Sequence, residues 1–410
     1  MSKFEKVDRW LDSSVNKMVE LQSILTAIPA LAPENGGDGE SKKAAELSRW
    51  LETMGLGPVL DYPAPDSRVS TGKRPNLVIT RKGSEKGRTI WIMSHLDVVP
   101  EGDPSKWKSH PFKVRREGDT IFGRGVEDNQ QGLVASVFAM LALENSGIKP
   151  LHDIGCIFVS DEETASRYGI RFLLQNHPSL FSKDDLVLVP DAGNPKGTLI
   201  EIAEKSILWL KISTVGKQCH ASMPHLGKNA FAAASELVVK LNELYKAFPQ
   251  SDPLFDPPIS TFEPTKKESN IPNINTIPGS DVFYLDCRVM PPIPLDDVLS
   301  WIRQKADEVC SKHGVTINFD FSQREQAAPP TPAASQIVKA LQKAIRDVYN
   351  VEGVPHGIGG GTVAAYFRRI GIHVAVWSKL DEAAHQPDEF CRLPNLVGDS
   401  KVFSRIFAEN

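Results

Sequence analysis

The segment TIWIMSHLD, residues 89–97, decides which class of fold the chain adopts. Its first five residues are apolar or β-branched, which is typical of a strand buried on both faces of a sheet. The run ends in His95 and Asp97, and open α/β sheets bind their ligands beyond the carboxyl ends of their strands. A histidine two residues before an aspartate can bind a metal while the carboxylate orients its ring. Such a pair is common without a metal, so further ligands must come from elsewhere in the chain.

Strands and helices alternate along the first 200 residues. The sequence predicts strands over 75–80, 89–93, 153–159 and 185–189, and helices over 1–25, 40–54, 131–144 and 168–176. Apolar strands separated by helices indicate an α/β sheet that is covered by helices on both faces. Helix 336–349 and strand 373–377 return to the same pattern near the end of the chain.

The pattern changes after about residue 205. The segment SILWLKIS, residues 206–213, alternates apolar and polar residues as a half-exposed strand does. Helices over 229–248 and 295–313 and strands over 281–289 and 315–321 follow it, and a Pro-rich linker begins at about residue 322. We therefore expect a split βαβ, ferredoxin-like α+β domain at 206–322, inserted into a larger domain formed by 1–205 and 323–410.

Composition excludes several classes of function. Of the 410 residues, 41% are hydrophobic and 24% are charged, and the net charge is -4, so neither a nucleic-acid partner nor a membrane surface is expected. No stretch has the roughly 18 apolar residues of a membrane span, and the amino-terminal helix lacks the features of a secretory signal. The five cysteines are scattered without a CxxC spacing, which indicates reduced thiols. These observations predict a cytoplasmic protein.

Acidic residues and a second histidine follow other predicted strands. Glu162 and Glu163 come after strand 153–159, Asp191 after strand 185–189, and His385 after strand 373–377. Asp128 ends the Gly-rich segment GRGVED, residues 123–128, and opens the next helix. The parallel strands would bring these groups to one edge of the sheet, together with His95. Spacing alone does not decide which of the two glutamates is a ligand.

Two imidazoles and three carboxylates favour zinc, or a similar divalent metal such as cobalt or manganese, over calcium and magnesium. Five ligands exceed the three protein ligands of a catalytic site with one zinc ion, so we expect two ions that share one carboxylate. Paired ions can polarise a carbonyl and activate a water molecule. The remaining glutamate could then act as general base and acid.

At these residues the sequence resembles the family of two-metal peptidases and deacylases that includes acetylornithine deacetylase, succinyl-diaminopimelate desuccinylase, aminoacylase and bacterial glutamate carboxypeptidase. The resemblance covers nearly the whole chain. The matching motifs are SHLDVVP (94–100), GRGVEDNQQG (123–132), SDEE (160–163), VPDAG (189–193), GKQCHASMPHLGKNA (216–230), NINTIPG (273–279), LDCR (285–288), GGGT (359–362) and AHQPDE (384–389).

The resemblance implies a metal ligand set and an exopeptidase-like catalytic domain. It makes Asp128 the carboxylate that bridges the two ions. His95 and Asp191 would complete one metal site, and Glu163 and His385 the other.

The resemblance also implies roles for groups that bind no metal. Glu162 would be the general base, and Asp97 would hold the ring of His95. His220 would reach the active site of a partner subunit and stabilise the oxyanion, so the inserted domain would be both a lid and a homodimer contact. The residues that would bind the substrate carboxylate are Asn275, Arg288, Gly360, Gly361 and Thr362.

The expected substrate is an N-acyl amino acid or a short peptide with a free carboxylate. We favour a desuccinylase or deacetylase because the insert is compact, while Asp191 stands where that branch often carries glutamate and so favours a dipeptidase or carboxypeptidase. Asn129 and Gln130 also depart from the Met-Lys of many relatives. A two-metal aminopeptidase would lack the insert, and a non-enzymatic binding protein would lack a ligand or the base.

Overall fold

The structure is a computed structural model that describes residues 3–410. The chain divides into two compact units. The first unit consists of the chain up to Ile202 together with Thr331–His356 and Tyr366–Asn410. The second consists of Ala203–Pro330 and Gly357–Ala365.

Both units contain helices. In chain order the helices are α1 (Lys3–Ser13), α2 (Val15–Thr26), α3 (Ser41–Thr53), α4 (Gln130–Ser146), α5 (Ile170–Asn176), α6 (Ala230–Leu241), α7 (Leu244–Ala247), α8 (Leu295–His313), α9 (Gln336–Tyr349), α10 (Ala364–Arg369) and α11 (Leu393–Glu409).

Both units also contain strands. In chain order the strands are β1 (Leu60–Asp61), β2 (Ala64–Pro65), β3 (Lys73–Arg74), β4 (Leu77–Arg81), β5 (Thr89–His95), β6 (Arg115–Glu117), β7 (Thr120–Phe122), β8 (Asp153–Val159), β9 (Leu186–Gly193), β10 (Leu199–Glu204), β11 (Ser206–Val215), β12 (Cys219–His220), β13 (Thr261–Lys267), β14 (Thr276–Ile277), β15 (Ser280–Val289), β16 (Thr316–Glu325), β17 (Val354–Ile358), β18 (His373–Ser378) and β19 (Phe390–Arg392).

An eight-stranded sheet has the strand order β1-β4-β8-β5-β9-β18-β10-β17. Strands β8, β5, β9 and β18 run parallel to one another, whereas β1, β4 and β10 pair antiparallel. Six of the seven residues of β5 are buried, as its apolar sequence predicts. Helix α4 is buried around its whole circumference because it packs on α1, α11 and the central strands. The predicted mixed α/β architecture is confirmed.

The second unit contains a four-stranded sheet with the order β13-β15-β11-β16, in which all neighbours are antiparallel. Strands and helices follow one another as strand, helix, two strands, helix, strand, which is the ferredoxin-like connection. Apolar side chains of β11 and β15 alternate inward and join α6 and α8 in one core. Leu210, Leu237 and Ile302 are fully buried in this core.

The second unit extends beyond the predicted insert 206–322. It includes residues 357–365, because the backbone amide of Lys205 donates to the carbonyl of Ile358 and that of Thr362 donates to Glu204. The GGGT segment therefore groups with the second unit, although the sequence assigned it to the larger domain. No helix within residues 3–410 combines the length and the hydropathy that a membrane span requires.

Candidate metal centre

Parallel strands bring the predicted ligands to one edge of the larger sheet. Strands β8, β5, β9 and β18 are neighbours in that order, so their carboxyl ends meet at the same edge. His95 is the last residue of β5, Glu162 and Glu163 follow β8, and Asp191 lies near the end of β9. His385 lies in the segment that follows β18.

His95 is 3% exposed and both of its ring nitrogens have partners. Nδ1 lies 3.0 Å from the carbonyl oxygen of Asp97 and 3.6 Å from its carboxylate. Nε2 lies 3.0 Å from Asp128 Oδ1 and 3.5 Å from Asp191 Oδ1. Because Nδ1 faces a carbonyl, it carries the ring hydrogen of the neutral form, and Nε2 is left with its lone pair directed at two carboxylates. This is the arrangement of a metal-binding histidine.

Asp128 lies between the two histidines. Its Oδ1 atom contacts His95 at 3.0 Å, and its Oδ2 atom contacts His385 Nε2 at 3.0 Å. The turn before it requires Gly125, whose φ is +91° and where a Cβ would lie 2.8 Å from Gln130 Nε2. A carboxylate that offers one oxygen to each imidazole has the position of a bridging ligand.

The two glutamates lie in a turn that Asp97 holds. The short 3-10 helix Glu162–Thr164 follows Asp161, whose backbone is left-handed with φ 64°. Asp97 Oδ1 accepts a hydrogen bond from the amide of Glu162 at 3.1 Å, and Oδ2 accepts one from the amide of Glu163 at 3.0 Å. Asp97 therefore contacts the turn that carries both glutamates as well as His95.

Asp191 lies inside β9, so the prediction that it follows the strand was wrong. Strand β9 continues past Pro190 to Gly193, which pairs with Ser378 of β18 after an irregularity in the register. Asn129, to which the sequence assigned no role, donates from Nδ2 to Asp191 Oδ1 at 2.6 Å and to the carbonyl of Pro190 at 2.7 Å. Asn129 thus fixes the direction of the Asp191 carboxylate.

His385 has a left-handed backbone, with φ 63°, and its side chain is 54% exposed. Its Nε2 atom lies 3.0 Å from Asp128 Oδ2 and 3.2 Å from Glu163 Oε2. Hydrogen bonds with Asp128 and Glu163 raise the pKa of His385 to about 10. The structure therefore brings this histidine to the two carboxylates that the resemblance assigns to its metal site.

The carboxylates of the cluster are buried close to one another. Burial, followed by the charge of Asp191, raises the pKa of Glu162 well above its ordinary value. Burial also raises the pKa of Glu163, although a hydrogen bond with His385 opposes this effect. Burial opposes protonation of His95, yet its carboxylate partners raise its pKa well above the ordinary value. The cluster as a whole therefore attracts positive charge, which divalent ions would supply.

The donor set fits two metal ions. Within residues 3–410, one group of side chains offers donor atoms from His95, Glu162 and Asp191 that lie within 4.8 Å of one another. A second group offers donor atoms from His95, Asp128 and Glu163 within the same distance. Imidazole nitrogen with carboxylate oxygen is a donor set that suits zinc and similar metals.

Two buried acids, Glu127 and Glu389, also contact the segments that carry the ligands, and the sequence assigned no role to either of them. A signal was present, because both lie inside the motifs GRGVEDNQQG and AHQPDE. Their partners are backbone amides of distant segments, which no sequence pattern identifies.

In the second unit, His220 and the segment of Asn275 are neighbours. Strand β12 pairs with β14, with His220 opposite Thr276, and the amide of Ala221 donates to the carbonyl of Asn275 at 2.9 Å. The backbone amide of Ser222 donates to His220 Nδ1 at 3.1 Å. Nδ1 is therefore an acceptor, so the ring hydrogen of this exposed histidine is on Nε2.

Arg288 contacts the predicted glycine loop within the second unit. Its Nε and Nη2 atoms donate to Asp286 at 2.7 and 3.1 Å, and its Nη1 atom donates to the carbonyl of Gly359 at 2.8 Å. Asp286 thereby fixes the plane of the guanidinium beside the loop.

Thr362 ends the same loop and is held by Glu204, which accepts its backbone amide at 2.9 Å and its hydroxyl at 2.5 Å. A Cβ at Gly360 would meet no atom of the described residues within 4 Å, and one at Gly361 would meet Ile207 Cδ1 at 3.8 Å. The structure therefore leaves room for a side chain at both glycines.

Residues 91–409 match the model of peptidase family M20/M25/M40. The chain belongs to this family. It is a metal-binding hydrolase, a metallopeptidase in the terms of the family.

Two relatives of this M20 chain cover nearly its whole length. An uncharacterized metallohydrolase of Methanococcus maripaludis is 39% identical over 416 residues, which cover 96% of this chain and 99% of that protein. The succinyl-diaminopimelate desuccinylase of Alkalilimnicola ehrlichii is 24% identical over 399 residues, which cover 96% of this chain and 98% of that protein. The predicted family resemblance is confirmed.

Two solved structures share the fold of this M20 chain. Human carnosine dipeptidase 1 matches with a TM-score of 0.74 at 16% identity, over 100% of this chain and 99% of that one. A dinuclear metal binding peptidase of the M20 family from Bacillus subtilis matches with a TM-score of 0.67 at 16% identity, over 97% and 98% of the two chains.

Proposed function

We propose that the enzyme uses two divalent ions to hydrolyse the amide bond of an N-acyl amino acid or short peptide that has a free carboxylate. The observation that carries this proposal is the position of Asp128, whose two carboxylate oxygens each lie 3.0 Å from a different histidine. A carboxylate between two imidazoles can bridge a pair of ions. The family membership and the dinuclear relative from Bacillus subtilis support it.

His95, Asp128 and Asp191 would hold one ion, and Asp128, Glu163 and His385 the other. Zinc suits this donor set, and cobalt and manganese are the alternatives. When bound, the ions would polarise the scissile carbonyl and lower the pKa of a nearby water molecule.

Glu162 is the proposed general base. Its carboxylate lies with His95 and Asp191 at the cluster, while its backbone amide is held by Asp97. From this place it would take a proton from the attacking water and deliver it to the nitrogen of the leaving group. Its donor atom also lies within 4.8 Å of those of His95 and Asp191, but Asp128 takes its place in the proposed ligand set, which leaves Glu162 free for both transfers.

The second unit would bind the rest of the substrate. Arg288 and the backbone amides at Gly360 and Gly361 would bind the free carboxylate, for which a planar guanidinium and N–H donors are suited. Asn275 and the hydroxyl of Thr362 are further candidate donors. His220 has its hydrogen on Nε2 and would donate it to the oxyanion of the tetrahedral intermediate.

We also propose that the inserted domain forms a homodimer contact, so that His220 acts in the site of the partner subunit. Exposed apolar side chains support an interface on this unit, since Phe231 and Val239 of α6 are 47% and 68% exposed. A lid function for this unit and a cytoplasmic location remain predictions.

The favoured substrate class is that of succinylated or acetylated amino acids, which the desuccinylase relative supports by its name. A dipeptidase or carboxypeptidase is the second candidate, because Asp191 occupies a ligand position where the deacylase branch often has glutamate.

A substrate panel tests the proposal. Protein freed of metal by a chelator and then reloaded with zinc, cobalt or manganese would be given N-succinyl and N-acetyl amino acids and dipeptides, each with a free or an esterified α-carboxylate. We expect turnover only after reloading and only with the free carboxylate. Cleavage of dipeptides alone would select the second candidate, and chelator-resistant turnover would contradict the metal mechanism.

A further inference from the structure

Glu389 is a buried carboxylate, 1% exposed, that holds the segment leading to Asp128. Its Oε1 atom accepts the backbone amides of Glu127 at 3.0 Å and Asp128 at 3.1 Å. Its Oε2 atom accepts the amide of Gly125 at 3.0 Å and Nη1 of Arg124 at 2.7 Å. All four donors lie within residues 124–128, so one carboxylate fixes the backbone of this whole turn.

Glu127 lies in the turn of Asp128 and holds the segment that leads to His385. It is 2% exposed, and its two oxygens accept the backbone amides of Asp381 at 2.6 Å and Ala383 at 2.5 Å. These amides belong to the segment that carries His385. Each of the two segments thus contributes one buried carboxylate that binds the backbone of the other.

Packing alone cannot hold His385 in place. Its side chain is 54% exposed and its backbone is left-handed, a conformation that costs free energy for any residue with a side chain. The two hydrogen bonds that backbone amides donate to Glu127 restrain the segment immediately before His385. The Nε2 atom of His385 can then meet Asp128 Oδ2 at 3.0 Å.

Carboxylates are suited to this task because they only accept hydrogen bonds, and every partner of these two side chains is a donor. Glutamine at either position would turn an NH₂ group toward a backbone N–H. A buried carboxylate also costs stability relative to an apolar side chain of the same size, so geometry is a better explanation than stability for two of them beside the cluster.

We infer that Glu127 and Glu389 are positioning residues that lock the turn of Asp128 against the segment of His385 and so fix the bridging ligand and the second histidine for metal binding. The inference rests on the proposed metal centre. It adds two residues that are not among the proposed ligands and that bind backbone amides of the segments carrying them.

Equilibrium binding of zinc to the metal-free full-length protein, measured by competition with a chelating dye, tests it. The variants are Glu389→Gln, Glu389→Asp and Glu127→Gln. Glu389→Asp keeps the charge but withdraws the carboxylate from the amides. We expect each variant to bind zinc about 10–100-fold more weakly than the wild type, the usual effect of losing a group that orients a ligand. Thermal unfolding of the metal-free protein is measured in parallel.

Asp185→Asn is the matched control. Asp185 is also buried, 3% exposed, and accepts the backbone amides of Thr89 at 2.7 Å and Ser182 at 2.9 Å and the indole of Trp91 at 2.9 Å. It lies at the amino-terminal ends of β5 and β9, away from the cluster. We expect it to lower the melting temperature while zinc affinity stays at the wild-type level.

The outcomes distinguish failure of the proposed metal centre from failure of the positioning roles of Glu127 and Glu389. A wild-type protein that binds no zinc, cobalt or manganese overturns the metal centre itself. If the wild type binds zinc and the three glutamate variants bind it equally well, only the positioning roles are overturned. They are also overturned if Asp185→Asn loses as much zinc affinity as the glutamate variants do. If Glu389→Gln does not fold, Glu389→Asp and Glu127→Gln decide the question.

Discussion

Asp97 Oδ2 accepts a hydrogen bond from the backbone amide of Glu163 at 3.0 Å. The other carboxylate oxygen accepts the amide of Glu162 at 3.1 Å, and the backbone carbonyl of Asp97 lies 3.0 Å from Nδ1 of His95. One residue therefore sets the tautomer of a candidate ligand on β5 and the position of both glutamates after β8. The sequence predicted that the carboxylate of Asp97 orients the ring of His95, whereas its backbone carbonyl lies nearer to Nδ1, at 3.0 Å against 3.6 Å for the carboxylate. The contacts with the glutamates were not predicted.

Asp97→Asn should weaken zinc binding and turnover together, by about 10–100-fold. The amide side chain keeps one acceptor and turns a donor toward the N–H of Glu162 or Glu163, so the turn moves away from the cluster. Zinc titration and kcat measured on the same preparation test this. Asp103→Asn is a control, because exposed Asp103 also accepts a backbone amide, that of Ser105, in a surface turn. Equal loss in both variants would contradict a specific role for Asp97.

Glu162→Gln should keep zinc content and lose turnover by about 10²–10⁴-fold, since the amide cannot accept a proton. Glu163→Gln should lose zinc from the site of His385 as well. Measuring metal content together with kcat distinguishes the roles of the two glutamates, which spacing in the sequence could not do. Near-wild-type turnover of Glu162→Gln would refute its role as base.

Much of the fold could be predicted where local signals mark the ends of an element. Helix α8 has the predicted bounds, 295–313; Pro294 precedes it and Gly314, with φ 65°, ends it. Helix α11 was missed, because 14 of its 17 residues are buried and no polar face reveals a helical period. Strand β13 was missed because Pro264 interrupts it, although the strand lies at the edge of its sheet, where proline is tolerated.

Residues of the candidate metal centre could likewise be predicted only where local signals in the sequence mark them. His95, Glu162 and Glu163 could be placed because each follows or ends a strand that the sequence identifies. Glu127 and Glu389 could not, because the amide of Glu127 and the carboxylate of Glu389 meet across 262 residues of chain. Only tertiary structure brings such partners together.

Arg288→Lys should raise KM with a smaller change in kcat. The ammonium group cannot keep the paired bonds to Asp286 and the bond to Gly359 while it also binds a carboxylate. Loss of a charged hydrogen bond corresponds to roughly 10–100-fold in kcat/KM. Arg324→Lys, an exposed arginine of the same unit, should leave both constants unchanged. A fall in kcat at constant KM would argue against carboxylate binding by Arg288.

A mixture of His220→Ala and Glu162→Gln proteins should regain activity that neither has alone. If His220 acts in the partner's site, half of the randomly exchanged dimers carry one intact site of two, which gives roughly a quarter of wild-type turnover. Labelled subunits would verify the exchange. Exchange without recovered activity would place His220 in the site of its own chain or outside catalysis.

Asp399 should make stability depend on pH. Burial raises its pKa to about 6, although hydrogen bonds from Ser378, Gln131 and Tyr349 oppose this. A raised pKa in the folded state means that its contribution to stability is present below about pH 4 and is lost as the pH rises to about 6.

The free energy of unfolding of the wild type should therefore fall across this window relative to Asp399→Asn, as denaturant titrations at several pH values would measure. Asp184→Asn, at an exposed position, should follow the wild type. Parallel curves for the wild type and Asp399→Asn would show that Asp399 does not titrate there.

The mutual contacts between the turn of Asp128 and the segment of His385 have a consequence for the making of the protein. During synthesis, neither the turn of Asp128 nor the segment of His385 can adopt its final structure until residue 389 has left the ribosome. The reason is that the carboxylate that organises the earlier turn belongs to the later segment. In the proposed metal centre, capture of the second ion would therefore follow the translation of this segment, and the nascent polypeptide would carry the earlier candidate ligands without His385 for most of its elongation.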